Sequence, residues 1–120
     1  MKLRLKGNTI RLRLSKTEVD ILASEGNVQE ETHIGNTTFM YRLKKENTVE
    51  LKAQLQNHEL TVSIPHDFAN DWPHNTVVGI DNKQVDGGMP SLYIVIEKDF
   101  KCIDNTEEDQ ADNYDNPKAC

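Results

Sequence analysis

One feature constrains this chain more than any other, and it is a period of two. Leu3 and Leu5 alternate with Lys2, Arg4 and Lys6; Ile10, Leu12 and Leu14 alternate with Arg11 and Arg13. Leu60, Val62 and Ile64 alternate with Thr61 and Ser63, and Leu92, Ile94 and Ile96 with Tyr93, Val95 and Glu97. Successive side chains of a strand point to opposite faces, so this pattern calls for strands with one buried and one wet face, typical of antiparallel sheets. Gly7-Asn8 between the first two runs is a two-residue hairpin signal, and further turns fit at Gly35-Asn36, Glu46-Asn47, Asn57-His58 and Gly87-Gly88.

Two stretches break the period. Ser15-Lys16-Thr17-Glu18 is a capping-box pattern, followed by Val19, Leu22 and Ala23 on one helical face and Gly26 as a C-cap. After Pro65, Phe68, Ala69 and Trp72 share a face before Pro73. Both helices are about two turns long and need a sheet to pack on. The expected elements are strands at 2–6, 9–14, 28–34, 37–44, 49–56, 59–64, 77–82 and 91–98, with helices at 16–24 and 66–72. A shift of 50 residues lays Ile10–Ser15 on Leu60–Pro65, and Val19 and Leu22 on Ala69 and Trp72. The chain therefore reads as α+β: an eight-stranded antiparallel, barrel-like sheet with two short helices, built from a duplicated βαβββ unit.

A length of 120 residues gives one domain. The net charge of −6 hides a segregation. Residues 1–16 hold six cations and no acid, while residues 101–120 hold six acids and two lysines. The expectation is one domain over 1–100 and an acidic tail over 101–120, which either solubilises the chain or folds over the basic face. No apolar run is long enough to span a bilayer, and the start lacks the apolar stretch of a secretory signal, so a cytoplasmic location without membrane contact is expected. Cys102 and Cys120 lack metal-site spacing and read as free thiols in that compartment, with a disulfide or a metal site as alternatives.

The strand–helix–three strands order, given twice over about Thr9 to Phe100, resembles the CYTH-like or triphosphate-tunnel fold. That resemblance implies a closed eight-stranded barrel and Mg²⁺-dependent phosphate chemistry. In place of that family's opening glutamates stand Arg11 and Arg13, so no metal-binding pair carries over there. The stretch Gly7-Asn8-Thr9-Ile10-Arg11-Leu12-Arg13-Leu14-Ser15, with Val62-Ser63-Ile64-Pro65, resembles AbrB-type swapped-hairpin domains, which implies a DNA-binding dimer. The Gly-Asn-x-x-Arg-Leu-Arg-Leu start and Glu97-Lys98-Asp99-Phe100-Lys101-Cys102 are similar to an uncharacterised bacterial family of short proteins, which implies no activity.

Arg4, Arg11, Arg13, Arg42 and Lys44, with Glu97 among the available acids, are the candidate ligand-binding residues. Strand alternation places Lys2, Arg4 and Lys6 on one face, and likewise Arg11 with Arg13 and Arg42 with Lys44. Were the polar face enclosed, these cations would converge on an anion, for which guanidinium is suited by its bidentate geometry. The alternative is a solvated outer face. Glu97, Asp99, Glu50 and Glu31 could hold Mg²⁺ if their strands faced one another; otherwise Glu97 and Asp99 pair across strands with Arg11 or Arg13. No Walker loop, GxGxxG, GxSxG or HExxH is present. The expected function is a binding module for a small, phosphate-containing anion on a basic sheet face. No particular cofactor or metal is implied, and nucleic acid is a less favoured partner given the acidic balance. The alternatives are a Mg²⁺-dependent phosphohydrolase, an AbrB-like DNA-binding dimer and a module that docks another chain.

Overall fold

A computed structural model of the chain describes residues 1–100 and Tyr114. Cys102, Cys120 and the tail's acids, Asp104, Glu107, Glu108, Asp109, Asp112 and Asp115, lie outside the described residues.

The chain opens with a hairpin, β1 (Lys2–Lys6) and β2 (Thr9–Leu14), closed at Gly7 in the left-handed region at φ 54°. Helix α1 (Lys16–Glu25) follows. Its first turn is fixed by a reciprocal cap: the Glu18 N–H donates to Ser15 Oγ at 3.3 Å, and the Ser15 N–H to Glu18 Oε1 at 2.9 Å. The helix stops at Gly26, which takes φ 93° and donates its N–H to the Leu22 carbonyl. A second hairpin, β3 (Asn27–Ile34) and β4 (Thr37–Glu46), completes the first half. The second half repeats the plan: β5 (Lys52–Gln56), β6 (Glu59–Pro65), α2 (His66–Asp71), a 3-10 turn at Trp72–His74, β7 (Gly79–Gln84) and β8 (Leu92–Lys98).

The strands form two four-stranded sheets, ordered β1-β2-β8-β7 and β3-β4-β6-β5. Each central pair, β2 with β8 and β4 with β6, is parallel, and the outer pairs are antiparallel. This corrects the expected single antiparallel barrel: the described residues form two mixed sheets and no closed barrel. The alternation of residues states which face is buried, and it does so equally for parallel and antiparallel neighbours. It does not state the partner strand.

The repeat also begins one strand earlier than the expected βαβββ. It is hairpin–helix–hairpin, ββαββ, with β1 and β2 beginning 50 residues before β5 and β6. The hairpins are exchanged between halves. The first sheet takes β1–β2 from the first half and β7–β8 from the second; the other sheet takes β5–β6 and β3–β4.

The correspondence extends to single atoms. Thr9 lies beside Tyr93 as Glu59 lies beside Met40, which makes Lys98 the counterpart of Lys45. The Lys45 N–H donates to the Gly26 carbonyl at 2.9 Å, and the Lys98 N–H to the Val78 carbonyl at 2.8 Å. Each ammonium then satisfies a carbonyl at the end of a helical segment: Lys45 Nζ that of Ala23 at 2.6 Å, Lys98 Nζ that of Asn75 at 2.8 Å.

The apolar faces supply one core, with Leu12, Leu14, Leu22, Leu43, Leu51, Val62, Ile64, Ile94 and Ile96 fully buried. Each such side chain stabilises the fold by about 1.5–3 kcal/mol. Trp72 is fully enclosed, packs on Phe68 with ring centroids 5.3 Å apart, and donates its indole N–H to the Val77 carbonyl at 2.8 Å. That bond, with the one from Lys98 to Val78, occupies the backbone just before Gly79. It explains why β7 starts two residues later than the alternation suggests. The polar faces point away from this core. No helix among the described residues is long and apolar enough to cross a membrane.

A cationic hairpin face as candidate functional site

The tight Gly7-Asn8 turn fixes the register of the first hairpin, so Lys2 stands opposite Arg13, Arg4 opposite Arg11 and Lys6 opposite Thr9. Five cations thus occupy one outward face of two adjacent strands. The neighbouring strand β8 contributes Tyr93 beside Thr9 and Glu97 beside Arg13.

Glu97 gathers the two central arginines. Arg11 Nη1 donates to Glu97 Oε1 at 2.9 Å and Arg13 Nε to the same oxygen at 2.8 Å. Burial alone would push this carboxyl up; the hydrogen bonds and charges of Arg11 and Arg13 outweigh it and hold the group below the usual carboxylate range. Lys2 pairs with Asp99 at 2.9 Å. Among the described residues, Arg4 and Lys6 have no acid partner and no side-chain hydrogen bond.

Arg4, Lys6, Thr9, Arg11, Arg13 and Tyr93 line a shallow depression of about 450 Å³. Its far wall is fixed by hydrogen bonds. The Tyr93 hydroxyl donates to Asp81 Oδ2, the Tyr93 N–H donates to the Asn8 carbonyl at 3.1 Å, and Asn8 Nδ2 donates to the Ser91 carbonyl at 2.7 Å.

Arg42 and Lys44 are not part of this site. They lie on β4 of the other sheet. Arg42 pairs with Glu59 at 3.1 Å and bonds Gln29, and Lys44 pairs with Glu46 at 3.0 Å. Grouping them with Arg11 and Arg13 rested on an enclosed barrel; with two sheets packed through their apolar faces, the two cationic sets belong to different sheets. The grouping of acids for Mg²⁺ is likewise not assembled. Glu97 is held by two arginines and Asp99 by a lysine, and no three His, Cys, Asp or Glu among the described residues come together as a metal site.

The repeat supplies an internal comparison. The positions equivalent to Lys2, Arg4, Lys6, Thr9, Arg11 and Arg13 are Lys52, Gln54, Gln56, Glu59, Thr61 and Ser63. They line a larger depression of about 930 Å³ that reaches across to Asn82 and Gln84 on β7. Where the first face has five cations, the second has one cation and one acid. Met40 stands there in place of Tyr93. Lys6 and Thr9 come to this face with the first hairpin, but the participation of Tyr93 depends on the β2–β8 register, to which no local signal in the sequence points.

No curated protein and no solved structure matches the chain. A family model does match, over residues 1–118. The chain belongs to that family, which is described as a family of unknown function, DUF7009.

Proposed function

We propose that the outer face of the β1–β2 hairpin binds a small phosphate-containing anion through Arg4, Lys6, Arg11 and Arg13. One observation carries this reading: of two equivalent hairpin faces in one chain, only the first is cationic, and two of its cations have no partner among the described residues. A stretch that served only as a solvated outer face would have no reason to differ so sharply from its own repeat. Glu97 acts as the internal counter-ion that holds Arg11 and Arg13 until an anion competes for them.

Thermal stabilisation by tripolyphosphate tests the reading. The wild-type chain is expected to gain several degrees at millimolar ligand, and the Arg4→Ala, Lys6→Ala double variant to lose that gain while keeping its unliganded melting temperature. An equal gain in both would place the anion elsewhere.

A second reading is a DNA-binding module of swapped-hairpin type. The exchange of hairpins between halves favours it. The single cationic face weighs against it, because a two-fold DNA reader presents a basic face from each half. It predicts duplex binding whose affinity falls steeply with salt. Phosphohydrolase chemistry would require Glu97 and Asp99 to release Arg11, Arg13 and Lys2 before holding Mg²⁺.

A further inference from the structure

The depression has an aromatic wall as well as a cationic floor. Tyr93 is 40% exposed, lines the same cavity as Arg4, Lys6 and Arg11, and is held at its hydroxyl by Asp81. Cations alone would serve an inorganic phosphate. A fixed, half-exposed tyrosine at the rim adds a surface for a flat ring. The internal repeat adds a separate observation, since the equivalent position holds Met40, so the aromatic stands beside the hairpin face with five cations and not beside the equivalent hairpin face, which has one.

Distances across the sheet agree. Tyr93 is on β8, Thr9 on β2 and Lys6 on β1, so the backbones that carry the ring and the unpaired cations lie two strand spacings apart, about 10 Å. That spacing leaves room for one ligand to touch both the ring and the cations. Thr9, short and partly buried, stands between them and leaves the floor open. The cavity volume is in the range of sites for ligands of this size.

Resting on the anion-binding reading above, we infer that the ligand is a nucleoside di- or triphosphate, with its phosphates on Arg4, Lys6 and Arg11 and its base against Tyr93. The hydrogen bond from Tyr93 to Asp81 holds the ring before the ligand arrives, so stacking costs little side-chain ordering.

The test compares ATP with tripolyphosphate by isothermal titration, both without divalent metal, on the full chain. ATP is expected to bind the wild-type chain about tenfold more tightly than tripolyphosphate, the worth of one stacked base. Tyr93→Leu should abolish that preference and leave tripolyphosphate affinity within about twofold, while Tyr93→Phe should retain most of it. Tripolyphosphate binding without any preference for ATP would overturn this inference and leave the anion site standing. A preference that survives in Tyr93→Leu would overturn it too. Failure of both ligands to bind would overturn the anion site itself.

Discussion

The side chain of Gln84 on β7 closes on the backbone of Ala53 on β5: its Oε1 accepts the Ala53 N–H at 2.7 Å and its Nε2 donates to the Ala53 carbonyl at 3.0 Å. Ala53 belongs to an edge strand, whose outward N–H and carbonyl would otherwise be an open template. Two positions earlier on β7, Asn82 Nδ2 donates to the Leu51 carbonyl at 2.8 Å. Side-chain amides thus stitch the edge of one sheet to the edge of the other without closing a barrel. Gln84→Ala should destabilise the chain by about 1–3 kcal/mol, the cost of two unsatisfied, partly buried backbone groups. Amide hydrogen exchange would localise the effect, with Ala53 losing protection while Leu12 and Ile96 keep theirs relative to the new global stability.

Among the glycines, Gly79 has the least room for a side chain. A Cβ there would lie 2.2 Å from the Ile96 carbonyl oxygen and 2.9 Å from Glu97 Cα, both backbone atoms that cannot step aside. Gly79→Ala should cost about 2–4 kcal/mol by prying β7 from β8. Chemical denaturation of the variant measures it. Gly87→Ala, with open space around the position, should stay within about 0.5 kcal/mol of wild type.

Glu97 makes stability depend on acid. Its carboxyl is held below the usual range in the folded state, so its contribution is complete above the unfolded value of about 4.3 and is lost as pH falls through the lower folded value. Glu97→Gln should therefore show a shallower loss of melting temperature on acidification than wild type. The same variant removes the counter-ion of Arg11 and Arg13, and tripolyphosphate should bind it several-fold more tightly at neutral pH. Weaker binding in Glu97→Gln would show that the carboxylate positions the arginines and does not compete with the ligand.

Trp72 anchors the second helical segment by packing and by one hydrogen bond. Trp72→Ala should cost about 3–5 kcal/mol. Trp72→Phe should recover most of the packing but leave the Val77 carbonyl without its donor. Lys98, whose ammonium lies 5.8 Å from the Trp72 ring, should report the change. Burial pulls its pKa down, and opening the site to water in Trp72→Ala should return it upward, as measured by NMR titration.

What the sequence disclosed and what it withheld divide along contact range. The first hairpin and α1 were legible because their signals are local: Gly7-Asn8 for the turn, Ser15 with Glu18 for the cap, Gly26 for the stop. The 50-residue echo was legible because both halves answer to the same local demands. The parallel pairings were not. Thr9 meets Tyr93 across most of the chain, and every alternation in between is compatible with other partners. The candidate site inherits this limit. Arg4, Arg11 and Arg13 followed from one hairpin, and Glu97 could be foreseen as their cross-strand partner. Tyr93 entered only with the sheet order, and Arg42 and Lys44 left with it.

The exchange of hairpins makes this chain a two-fold pair joined by a covalent linker. Two identical chains associated in the same way would be bound by symmetry to carry the same side chains on both outer faces, so that each gain in charge at one face would be duplicated at the other. Fusion into one polypeptide removes that bond. Arg11 and Arg13 can stand on one side while Thr61 and Ser63 stand on the other, and neither half needs to meet a second molecule to find its complement. Asymmetry between the faces is thus a freedom conferred by the linker, and the chain has used it to concentrate charge and an aromatic ring at a single place.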